Sequence, residues 1–97
     1  MLDIDLRHLE IVLDILYRHV PRHRVRAFGA RPYSDPDLVI IAETPLSFAA
    51  IGELSEDFTE SDLPWRVDIV DWATTSTAFR GIIERDSVVI KMPEFIE

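Results

Sequence analysis

The sequence predicts an α/β (α+β) sandwich, a small mixed β-sheet flanked by helices. Three observations carry this. Apolar residues recur at three-to-four spacing in separate segments. Short alternating or continuously apolar runs lie between those segments. Pro and Gly punctuate the joins. The order is α-β-β-α-β-α-β over residues 1–97, one domain without repeats, linker or low-complexity stretch.

Asp5 is placed to cap the first helix. Leu6, Leu9, Val12, Leu13, Leu16, Tyr17 and Val20 form its apolar stripe, and Pro21 ends it. Arg24-Val-Arg-Ala-Phe28 alternates and reads as a strand. Gly29 through Pro36 reads as a loop. Leu38–Ala42 is continuously apolar, as expected of a strand covered on both faces. Thr44 and Pro45 resemble a helix cap and first helical position, with Leu46, Phe48, Ala49, Ile51, Leu54 and Phe58 behind them and Gly52 as a weak spot. Pro64 opens a third strand, Trp65–Asp71. Ser76 or Thr77 caps a short helix through Ile83 and Arg85, Ser87–Lys91 forms a last strand, and Pro93–Glu97 is a loose tail.

The chain carries 10 Lys and Arg against 18 Asp and Glu, a net charge of −8, which disfavours direct nucleic-acid binding. With no cysteine, disulfides, thiol catalysis and Cys-based metal sites are excluded. The longest apolar run is far too short to cross a membrane, and the acidic start is unlike a secretory signal, so a soluble cytoplasmic protein is expected.

Three carboxylates stand out. Asp35 and Asp37 are two apart at the start of an apolar strand, about 7 Å apart at Cα if extended and on one face. Asp68 alternates with apolar residues in the third strand. Three converging carboxylates call for a cation, and hard oxygen donors suit Mg²⁺ or Mn²⁺ with substrate phosphates as further ligands. An Asp-Pro-Asp is also a plain turn, and Asp68 also fits a solvated strand face.

Arg26-Ala-Phe-Gly29, Arg31-Pro-Tyr-Ser-Asp-Pro-Asp-Leu-Val-Ile-Ile41 and Trp65-Arg-Val-Asp-Ile-Val-Asp-Trp72, in that order, resemble the minimal nucleotidyltransferases of the DNA polymerase β-like superfamily. The resemblance covers nearly the whole chain. It implies the nucleotidyltransferase fold, with Asp35, Asp37 and Asp68 as catalytic residues and as ligands for Mg²⁺ (or Mn²⁺). It implies Gly29 and Arg31 near the nucleotide, ATP as substrate and AMP transfer to a protein acceptor. It further implies an antitoxin role beside a HEPN-domain toxin-like partner.

One departure matters. The family pattern has Gly-Ser and a basic, Gly-containing stretch before the Asp pair, whereas Gly29 is followed here by Ala30 and Asp35 comes six positions after Gly29. A phosphate cradle of backbone amides is thereby shortened, so weak or absent catalysis is expected. The alternative is a non-catalytic module that neutralises a HEPN partner by contact. A homo-oligomer fits either reading.

Arg18, His19, Arg22, His23, Arg24 and Arg26 form a basic cluster that suits a helix C-terminus or an acidic partner. His8, His19 and His23 lack a metal motif and are expected at the surface. Trp65 and Trp72 read as packing residues or partner anchors, and Glu53, Glu56, Asp57, Glu60 and Asp62 as a solvated acidic face.

Overall fold

The computed structural model describes residues 4–29 and 35–94. The elements are α1 (Leu6–His19), β1 (Arg24–Phe28), β2 (Asp37–Ile41), α2 (Phe48–Glu60), β3 (Asp68–Asp71), a single 3-10 turn (Trp72–Thr74), α3 (Thr77–Asp86) and β4 (Val88–Lys91). The expected order and class hold.

Several boundaries differ from expectation, each for a local reason. Asp5 caps α1 as expected, accepting from the Arg7 amide at 2.9 Å. The cap of α2 is Ser47 rather than Thr44; its hydroxyl accepts from the Ala50 amide at 3.1 Å, so Pro45 and Leu46 lie outside the helix. Asp71 holds Leu46 there, accepting its amide at 2.9 Å. The third strand begins at Asp68 rather than Trp65.

The sheet order is β3-β2-β1-β4, with β1 antiparallel to β2 and β4, and β2 parallel to β3. β2 is an inner strand, and Leu38, Val39 and Ile40 are all buried, as its unbroken apolar run predicts. Alternation divides the strands between two faces. Val25, Ala27, Leu38 and Ile40 face a core shared with Val12, Ile15 and Leu16 of α1 and Leu54 and Phe58 of α2. On the other face, α3 packs Phe79 edge-on against Phe28 at 6.0 Å. At its C-cap, Ser87 accepts from the Arg26 guanidinium, at 2.6 Å on the hydroxyl and 3.1 Å on the carbonyl.

Two polar clasps join distant segments. Between α1 and α2, Asp57 meets His19 Nε2 at 2.5 Å and Arg18 at 3.0 Å. His19 and Asp57 are thus partners rather than the freely solvated side chains the sequence suggests. The His19 hydrogen bond foremost, with Arg18 behind it, lowers the Asp57 carboxyl below its usual value. This clasp therefore stabilises above the ordinary carboxylate range and fades as pH falls through the lowered value.

The second clasp is Lys91, only 2% exposed. Its ammonium donates to the carbonyls of Pro21 at 2.9 Å, His23 at 2.7 Å and Met92 at 3.3 Å, and lies 4.8 Å from the Tyr17 ring centre. It ties β4 to the turn between α1 and β1. Replacing Lys91 by Met would strip the His23 carbonyl of the ammonium and leave the Pro21 carbonyl with the Glu94 amide alone. Lys91→Met is expected to lower unfolding stability by about 1–3 kcal/mol, read as the urea midpoint; an unchanged midpoint would refute the clasp.

Candidate active site

The parallel pairing of β2 and β3 builds the site. Asp37, the first residue of β2, is in register with Asp68, the first residue of β3. Adjacent strands lie about 4.8 Å apart, so the two carboxylates stand side by side. Antiparallel pairing places Phe28 on the other side of Asp37. The pair therefore lies on the α3 face.

Backbone contacts fix the approach to both strands. The Asp68 amide donates to the Pro36 carbonyl at 3.1 Å. The Arg66 amide donates to Asp35 Oδ1 at 3.2 Å. Gly29 ends β1 with φ +74°, and a Cβ added there would stand 3.5 Å from Asp37 Oδ2 and 3.7 Å from the Asp35 carbonyl. A side chain at Gly29 would be in contact with Asp37, and its backbone conformation is one that other residues rarely adopt.

The electrostatics at Asp37 are those of crowded carboxylates. Burial, then the charge of Asp68, then that of Asp35, push the Asp37 carboxyl above its usual value. A hard divalent cation would relieve all three effects, and an all-carboxylate donor set fits Mg²⁺ or Mn²⁺. Among the described residues, no group of three or more His, Asp or Glu is already gathered tightly enough to hold a metal ion. Asp35 has one oxygen on the Arg66 amide. Arg31 and the shortened stretch Ala30–Ser34 lie outside the described residues.

The remaining expected features disperse. His8 meets the Trp65 ring edge-on at 5.8 Å. His23 Nδ1 is buried without a hydrogen-bond partner. Of the basic cluster, Arg18 bridges Asp14 and Asp57 while Arg26 turns to Ser87, so it is not one patch. Trp72 lies under Arg80, whose guanidinium stands 4.8 Å from the ring centre and donates to the Trp72 carbonyl at 2.8 Å.

Sequence reasoning overlooked the Arg66 amide, because a backbone donor carries no residue signature. It also overlooked Asp71, whose carboxylate organises the start of α2 and accepts from Ala73 at 3.2 Å in the turn after β3. It further missed a groove of about 830 Å³ beside Asp35 and Asp68, walled by Trp65 and the end of α2. No helix among the described residues is long and apolar enough to cross a membrane.

The raised pKa of Asp37 makes its charge a cost at neutral pH. The folded state prefers the protonated acid, so the cost is present above the raised pKa and disappears as pH falls towards the unfolded value. Asp37→Asn is accordingly expected to raise the melting temperature by a few degrees at pH 7, with the gain shrinking towards pH 4. An equal or larger gain at pH 4 would contradict this origin.

No protein-family model matches the chain. A probable protein adenylyltransferase, MntA of Haemophilus influenzae, is 54% identical over 99 residues, covering 96% of this chain and 87% of that protein. An aligned span of 99 against a chain of 97 residues means that the relative has residues there which this chain lacks. The fold is shared with a chain in the structure of tri-AMPylated Shewanella oneidensis HEPN toxin in complex with MNT antitoxin. That match has a TM-score of 0.71 and 24% identity, covering 89% of this chain and 71% of that one. A toxin–antitoxin structure with AMP-PNP gives a TM-score of 0.70 at 22% identity, covering 89% and 74%.

Proposed function

We infer the function from the premise that the chain belongs to the family of MntA, the minimal nucleotidyltransferases. The protein is an antitoxin-type adenylyltransferase. It transfers AMP from ATP to a hydroxyl on a HEPN-domain toxin partner in the cytoplasm. The observation that carries this reading is the register of Asp37 with Asp68 on adjacent parallel strands, with Asp35 two residues before Asp37 and Gly29 packed behind it.

Asp35, Asp37 and Asp68 would hold Mg²⁺ or Mn²⁺. Such an ion, when bound, neutralises phosphate charge and stabilises the departing pyrophosphate. The chain's own groups do the rest. Gly29 would lie beside the triphosphate, and the family resemblance assigns Arg31 to it as well. Asp68 orients the acceptor hydroxyl and takes its proton as the oxygen bonds to the α-phosphorus. The bond from the α-phosphorus to the β-phosphate oxygen breaks, and pyrophosphate leaves with that electron pair.

A second reading is supported by the short path from Gly29 to Asp35. The family's Gly-Ser cradle has no counterpart in this sequence, and Asp35 already caps the Arg66 amide. In that reading the chain neutralises its HEPN partner by contact alone. Titration calorimetry with ATP and Mg²⁺ tests the site: low-micromolar binding is expected, lost in an Asp35→Asn/Asp37→Asn double variant. No binding by the wild type would leave the contact-only reading.

The shortened cradle gives a further expectation. Inserting Ser and a basic, Gly-containing stretch after Gly29 should raise AMP transfer to the HEPN partner by about a hundredfold, the scale of one lost oxyanion-type donor. Radiolabelled ATP gives the readout. Equal rates in both proteins would show that the cradle is not the limiting loss.

A further inference from the structure

The three aspartates are not held alike. Asp37 and Asp68 open adjacent strands and take their places from the ladder between them. Asp35 precedes β2 and is exposed, yet its neighbours fix it closely. Pro36 follows it, and a residue before proline is biased to extended backbone. Pro36 is buried and its carbonyl accepts the Asp68 amide at 3.1 Å. The Asp35 carbonyl would stand 3.7 Å from a Cβ added at Gly29. With the backbone settled in this way, the torsions of the Asp35 side chain are what remains.

The Arg66 amide settles those, donating to Asp35 Oδ1 at 3.2 Å. Arg66 lies two residues before Asp68, whose amide bonds Pro36. Donors two apart are the repeat of a sheet ladder, so a carboxylate stands where the ladder continues. A cap of this kind does not need a charge. An Asn oxygen would accept the same amide, without the repulsion that Asp35 adds at Asp37. The charge at position 35 therefore serves something other than the cap.

We propose that the Arg66 main-chain amide is a positioning group for metal binding: by holding Oδ1 of Asp35 it leaves Oδ2 for a divalent cation shared with Asp37 and Asp68, and it ties that cation to the entry of β3. A hydrogen bond to a ligand's other polar atom orients the ligand and tunes its strength. This role deepens the adenylyl-transfer reading and rests on its assignment of the three aspartates.

The test uses Mn²⁺ alone on the full chain, with affinity read from water-proton relaxation. Arg66→Pro deletes the N–H in a segment outside any helix. It is expected to weaken Mn²⁺ binding about tenfold or more, the range typical of groups that orient a ligand. Arg66→Ala keeps the amide and should show no such loss. Amide spectra check that each variant is folded. A cap with a structural role only would lower stability and leave the affinity unchanged. A second measurement does not depend on the proline variant. In a Mg²⁺ titration of the ¹⁵N-labelled wild type, the Arg66 amide should shift with the same midpoint as the Asp37 and Asp68 amides. That response should vanish in Asp35→Asn, whose oxygen can still take the amide. Three results would overturn the positioning role while leaving the metal site standing: wild-type affinity in a folded Arg66→Pro, equal losses in both Arg66 variants, or an Arg66 amide that ignores Mg²⁺ while Asp68 responds. Absence of Mn²⁺ binding by the wild type would overturn the role together with the assignment of the aspartates.

Discussion

Everything distinctive in this molecule follows from one pairing, the parallel alignment of β2 with β3 that sets Asp37 beside Asp68. Like charges on neighbouring strands repel, and a sheet built for stability alone would not place them there. The fold tolerates the pair because its two strands are held by other means. Leu38, Val39 and Ile40 bury β2 on both faces, and Pro36 and Asp35 receive the amides of Asp68 and Arg66. The polar site therefore rests on an apolar foundation beginning one residue away.

Two of the perturbed aspartates, Asp57 and Asp37, act in opposite directions. Asp57 is held ionised by His19 and Arg18, and in that state fastens α1 to α2. Asp37 is pushed towards protonation by burial and by its acidic neighbours. The first is an ordinary stabilising arrangement. The second is the arrangement a site for a hard cation requires, and it costs the fold stability rather than supplying it.

Much of this was legible in the residue pattern. The unbroken run from Leu38 to Ala42 and the capping Ser76 each report a local rule that tertiary structure did not override, whereas the α1 stripe holds only in part: Val12, Leu16 and Val20 are buried, but Leu6 and Tyr17 are exposed and Ile15, outside the stripe, is buried. The resemblance carried by Gly29, the Asp35–Asp37 pair and Asp68 named the family that the Haemophilus influenzae relative then established. What remained hidden was set by partners far apart in sequence. Thr44-Pro45 imitates a helix start, but Asp71 captures Leu46 and moves the start to Phe48. Trp65–Val67 has strand-like alternation yet precedes the ladder, since the Asp35 carboxylate takes the Arg66 amide. His19 and Asp57 pair across 38 residues, a separation at which no spacing rule applies.

The Lys91 clasp has a consequence for how the chain assembles. β4 pairs with β1 only after α2, β3 and α3 have intervened, and Lys91 reaches back 70 residues to the Pro21 carbonyl. Contacts so distant are entropically slow to close, whereas the β1–β2 hairpin is local. The half of the sheet bearing Gly29 and Asp37 thus closes over a much shorter loop than the pairing of β4 with β1. A nascent chain halted before Lys91 would hold much of its acidic site while lacking the bolt that secures it.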